Sequence, residues 1–207
     1  MRTLLLLLAL LVPSLAAAVP SVQVQEGDLV FVTASRTGLS GAIDEATARV
    51  DTPGFDHVGL VAVTDGRSTV LHADTQGSRE QPLTAFLDEA HGRGRQVVVY
   101  RLAPAQRATI PEAIATARSL LGKPYNATYL QSENSLYCSD LIERAFRAHA
   151  VFALQPMNFR NTKTGEMPAY WTAFFARHGM PVPQGAPGTN PNDMAASPVL
   201  QRVGELR

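Results

Sequence analysis

Two apolar runs meet at Asp65-Gly66, and little besides an antiparallel hairpin accommodates them. His57 to Thr64 reads H-V-G-L-V-A-V-T, and Thr69 to Ala73 returns on the far side. Asp-Gly supplies the positive φ angles that a two-residue hairpin turn requires. A lone hairpin is marginal in water, so more strands must flank it. Leu29 to Val32 follows the turn-like Gly27-Asp28, Gln96 to Leu102 is valine-rich, and Leu200 to Leu206 offers a last strand. Between them lie helical patterns. Ser40 to Val50 carries Ile43, Ala46 and Val50, with Ser40 or Asp44 as cap. Pro82 to Ala90 is a short helix. Thr109-Ile110-Pro111 opens another, with Ile114, Ala117, Leu120 and Leu121 inward and Gly122 as stop. Ser139 to His149 places Leu141, Ile142, Ala145 and Phe146 on one stripe, and Pro168 to His178 carries Trp171, Phe174 and Phe175. Pro124 to Leu136 is a polar loop. Pro181 to Pro198 has no periodicity and is expected to wrap the surface rather than act as a lid. The class expected is α+β, a small antiparallel sheet packed against helices.

The start of the chain has the pattern of a secretory signal peptide. Arg2 precedes the apolar run Leu4 to Val12, and Ala16 and Ala18 have cleavage-site spacing. The run is too short to span a bilayer, which takes roughly 20 residues. Residues 1–18 are read as the signal and residues 19–207 as one domain, secreted or periplasmic, with no membrane span once the signal is cut. The 18 basic and 18 acidic residues balance, so no nucleic-acid partner is expected.

Cys138 is the one cysteine. An exported chain with a single thiol has no disulfide framework, so the thiol is either inert and buried or used. Its context, Y-C-S-D-L-I, sets it at the start of a helix. Unpaired N–H groups there favour a thiolate and can receive an oxyanion. His57 begins a strand after the breaker Thr52-Pro53-Gly54. His72 lies 15 residues later on the returning strand, and a turn near Asp65 sets the two roughly opposite. That is the base-plus-orienter arrangement a nucleophile needs. His91, His149 and His178 read as surface residues. Zinc is the rival use of His57, His72 and Cys138, but no C-x-x-C, H-x-x-x-H or H-E-x-x-H pair accompanies them, and no metal or cofactor is expected. Asp140, in the first helical turn, receives no catalytic role.

Five segments occur in a telling order: G-D-L-V-F (27–31), S-G-A-I (40–43), H-V-G-L-V (57–61), G-K-P-Y-N (122–126) and Y-C-S-D-L-I (137–142). P-G-T-N-P-N-D (187–193) follows more loosely. Together they resemble the YiiX/YaeF-like permuted papain-like enzymes, distant relatives of the NlpC-type cell-wall peptidases. His preceding Cys matches circularly permuted members. The resemblance implies a permuted papain-like fold, with Cys138 as nucleophile and His57 as base. The orienting position, often Glu in the family, falls on His72 here, with Asp74 or Glu80 as alternatives under another strand register. Asn126 stands where relatives often carry Asp. The activity implied is amide hydrolysis on an amide- or acyl-containing substrate, with a peptidoglycan peptide suggested by export. An acyltransferase or lipid amidase or esterase is the alternative on the same fold. A non-catalytic binding module with a degenerate site is the other.

Overall fold

The computed structural model describes residues 22–50 and 52–207. The expected signal peptide, residues 1–18, lies outside them. Six strands form one antiparallel sheet: β1 (Leu29–Thr33), β2 (Phe55–Thr64), β3 (Arg67–Asp74), β4 (Gly77–Pro82), β5 (Val97–Leu102) and β8 (Leu200–Leu206), in the spatial order β4-β3-β2-β1-β5-β8. Two short strands, β6 (Gln155–Pro156) and β7 (Pro187–Gly188), pair with each other.

Side-chain alternation splits the sheet's burial between two faces. Leu29, Phe31, Val58, Leu60 and Leu71 pack against α3 (Ile110–Ser119) and α4 (Cys138–Phe146). Val30, Val32, Val61 and Val70 face the other way, onto Phe86 and Ala90 of α2 (Leu83–His91). A third, aromatic cluster joins α1 (Gly38–Thr47) and α5 (Ala169–Arg177) through Tyr129, Tyr137 and Phe159. Fully burying one such aliphatic or aromatic side chain stabilises by about 1.5–3 kcal/mol.

Asp65 and Gly66 both have positive φ, 51° and 74°, as the Asp-Gly pair requires. The hairpin register runs from Thr64↔Arg67 to Leu60↔Leu71. Continued, it sets His72 across from Gly59 rather than His57. The two histidines are therefore diagonal neighbours on one face, two residues off the roughly opposite placement expected from the sequence. Diagonal pairs remain within reach of long or aromatic side chains.

Several other boundaries shift. β4 was not legible: Gly77–Pro82 is a polar edge strand with no apolar alternation to reveal it. Helix α1 begins at Gly38, and neither Ser40 nor Asp44 caps it; the Ser40 hydroxyl instead accepts from Ser35 N–H at 2.6 Å. The segment 181–198 does not merely wrap the surface. It contains β7 and α6 (Pro191–Ala195), capped by the Asn190 side chain, which accepts from Asp193 N–H. Asn192 and Met194 are buried, and Asn192 Oδ1 accepts from Phe55 N–H at 2.7 Å. This segment buttresses the start of β2. Among the described residues no helix is long and apolar enough to cross a membrane.

Candidate active site

Cys138 is the first residue of α4, with Tyr137 as N-cap. The helix packs against β2 and β3, which carries the sulfur to the point where those strands part. Val61 donates its N–H to Asp28 O at 2.8 Å and accepts Gly27 N–H at 2.9 Å, so its polar groups face β1. Backbone direction alternates along an antiparallel strand, so Val58 turns its N–H toward the β3 side. The β2–β3 ladder ends at Leu60↔Leu71, leaving that N–H without a strand partner. Sγ takes the vacant place. It receives backbone N–H groups of Ser139, Val58 and Cys138 itself and lies 3.9 Å from the Asp56 carbonyl.

This cradle does not make a resting thiolate. Burial pushes the thiol up to about 11, and the three N–H groups only partly oppose it. The helix start was expected to lower the pKa; at 5% exposure, desolvation of the charge outweighs those dipoles.

His57 and His72 meet on the α2 face, His57 Nε2 and His72 Nδ1 sharing a hydrogen bond at 2.9 Å. The Phe86 ring lies 5.9 Å from His57 and 5.3 Å from His72. Burial holds His57 down to about 4; Asp74 opposes the shift, while Arg79 and Arg93 add to it. Burial, then His57 itself, lowers His72 to about 3. Both rings are therefore neutral at pH 7. Among the described residues no hydrogen bond joins His57 to Cys138. Among the described residues His57 Nδ1, the ring nitrogen nearer its own backbone, makes no hydrogen bond, and the backbone on either side of His57, Asp56 O and Val58 N–H, lies against the sulfur. The alternatives to His72 are engaged elsewhere: Asp74 pairs with Arg79 at 2.6 Å, and Glu80 with Arg118 at 2.9 Å. His91 and His178 are exposed, and His149 lies at the surface against Glu112. Asp140 is buried against Arg144 at 3.0 Å, a structural pairing within α4.

Three contributors escaped the sequence reading. A register irregularity at Val32/Thr33 makes Asp56 a bulge residue. Arg95 spans that bulge, donating Nε–H to Thr33 O at 2.6 Å and pairing through Nη2 with Asp56. Asp56 directly precedes His57, the only available signal. Tyr129, in the loop 124–136, had none. Asn126 organises that loop: its Nδ2 donates to Leu130 O, and its Oδ1 accepts from the N–H and hydroxyl of Thr128.

Two cavities flank the site. One, of about 510 Å³, is lined by His57, His72, Asp74, Glu89, Arg93 and Arg95. The other is a slot of about 40 Å³ lined by Cys138, Tyr125, Tyr129, Tyr137, Met157 and Trp171. Asp56 and Tyr125 line both. Among the described residues no cluster of three or more His, Cys, Asp or Glu side chains is placed to hold a metal.

Comparison with known proteins agrees with the fold. The model of the permuted papain-like amidase family YaeF/YiiX, C92, matches residues 23–204. The uncharacterized protein YiiX of Escherichia coli (strain K12) is 30% identical over 141 residues, which are 67% of this chain and 66% of that protein, just under two thirds of its length. The crystal structure of metalloprotein yiiX from Escherichia coli O157:H7 superposes with a TM-score of 0.70 at 21% identity, covering 88% of this chain and 98% of that one. At that identity the likeness speaks for the fold.

Proposed function

From the premise that the chain belongs to the permuted papain-like amidase family YaeF/YiiX, we propose that it hydrolyses an amide bond with Cys138 as nucleophile, His57 as base and His72 as orienter. The observation that carries this reading is the sulfur's position. It sits in a cradle of three backbone N–H groups, at the strand end that also bears a hydrogen-bonded histidine pair.

The steps follow from neutral partners. His57 Nδ1 takes the thiol proton as sulfur attacks the substrate carbonyl, forming C–S and moving the π pair onto oxygen. Backbone N–H groups at the start of α4 stabilise that oxyanion. Collapse breaks the C–N bond, and His57 returns the proton to the leaving amine. Water, activated by His57, then cleaves the thioester to release the acid. His72 holds Nε2 of His57, leaving Nδ1 free for the sulfur. As a neutral ring it stabilises the transient imidazolium less than a carboxylate would.

The larger flanking cavity, walled in part by charged side chains, favours a polar substrate, and the mainly apolar slot beside sulfur is far too small for a fatty chain. Both properties favour a peptide-like amide over a lipid. The signal-like pattern in residues 1–18 supports export, and with it a peptidoglycan peptide as substrate.

The test is the pH dependence of Cys138 alkylation by iodoacetamide. A base-assisted thiol reacts at pH 7 at least about tenfold faster in wild type than in His57→Ala. A rate indifferent to His57 leaves a buried structural cysteine and removes the catalytic reading.

A further inference from the structure

Tyr129 combines a strained backbone with a buried hydroxyl that makes no well-aligned hydrogen bond. Its φ is +57°, a left-handed conformation that aromatic residues rarely adopt. Its side chain is buried at 6% exposure, yet its hydroxyl has no hydrogen-bond partner. Tyr125 brings its own hydroxyl close enough to interact with it, but the pair does not form a well-aligned hydrogen bond. Buried donors are nearly always satisfied in native proteins, and strained backbone concentrates where function requires it. Both features coincide in a residue that shares the 40 Å³ slot with Cys138. The Tyr129 ring packs edge-on at 5.4 Å against Tyr137, the residue before the nucleophile. Tyr137 is itself fixed, since its hydroxyl accepts from Thr189 N–H at 3.0 Å. Burial, first among the causes, keeps the Tyr129 hydroxyl protonated far above neutral pH, so it remains a donor.

We propose that Tyr129 is a catalytic residue whose unpartnered hydroxyl donates to the substrate's carbonyl oxygen as it becomes the oxyanion on Cys138. The inference rests on Cys138 being the nucleophile. The hydroxyl then works beside the backbone N–H groups of α4, and the substrate oxygen supplies the acceptor that the free protein lacks. The slot's size suits a small group next to the carbonyl, so acyl groups whose side chain is no larger than methyl, such as acetyl or alanyl, are the class it admits.

An aldehyde isolates this contact. The thiol adds to the aldehyde carbon, C–S forms, and the carbonyl oxygen takes up negative charge before accepting the thiol proton. The resulting hemithioacetal reproduces the oxyanion without a leaving group. Iodoacetamide alkylation displaces iodide at carbon and forms no oxyanion. N-acetyl-alaninal should therefore protect Cys138 of the wild type from alkylation. Tyr129→Phe should weaken that protection about 10²–10³-fold when each protein is scored against its own alkylation rate without aldehyde. The variant should also melt at or above the wild-type temperature, because it removes only a buried hydroxyl that has no partner. Equal protection of both proteins overturns the proposal, as does failure of the aldehyde to protect the wild type. Weakened protection with a lowered melting temperature makes the hydroxyl structural and overturns it too. The dependence of alkylation on His57 tests the catalytic reading separately.

Discussion

The proposed nucleophile and its proposed base are held by different means, although both lie at one strand end. Cys138 is held on the α4 side by backbone: a helix start, and the N–H of Val58 where β3 has parted from β2. His57 is held on the α2 side by side chains: His72, Phe86 and the charges of Asp74, Arg79 and Arg93. Backbone donors persist through most substitutions, whereas a side-chain environment changes with each one. The nucleophile half should therefore tolerate mutation of its neighbours better than the base half. Burial also shifts the two halves in opposite senses, raising an acid thiol and lowering a basic imidazole, because it disfavours the charged form of each.

The largest effect that separates the halves is on rate. His57→Ala should lower amide hydrolysis about 10²–10⁴-fold, with only the modest fall in melting temperature that the lost His72 hydrogen bond and Phe86 contact account for. A collapse of the fold would show that the sulfur's site relies on the histidine after all.

Next in size is Gly59→Ala. The added Cβ would lie 2.4 Å from Val70 Cγ1 and 3.3 Å from His72 Cβ, prising apart the hairpin that aligns the histidine pair. Overpacking of this kind costs about 1–3 kcal/mol. Urea unfolding measures it. An unchanged midpoint would mean that β2 and β3 part more freely than the packing implies.

The last effect is electrostatic, and its size depends on pH. His72 titrates near 6.5 when unfolded but only at about 3 when folded. As pH falls below about 6.5 the unfolded chain binds the proton and the folded chain does not, so stability declines until the folded value is reached. The slope is up to about 1.4 kcal/mol per pH unit for this one group, and it vanishes above pH 7. His72→Gln should flatten the decline in urea midpoint between pH 6.5 and 4.5. An identical slope would place the acid sensitivity on other groups.

Local chemistry made much of the molecule legible. Asp65-Gly66 with its flanking apolar runs determined the hairpin, and the spacing of Leu141, Ile142, Ala145 and Phe146 determined the helix behind Cys138. These signals depend on neighbours in the chain, which is why they survive in sequence. Polar β4 and the short α6 did not show, because their apolar partners belong to other segments. The same limit applied within the site. The sequence singled out Cys138, His57 and His72 as chemical types. Tertiary structure decided that the histidines are diagonal, that Sγ fills the gap where β3 leaves β2, and that burial there outweighs the helix start. It also brought Arg95 to the Asp56 bulge and Tyr129 to the slot. Register, desolvation and strain are properties of the packed chain, set by contacts between residues far apart in sequence, and no run of neighbouring residues encodes them.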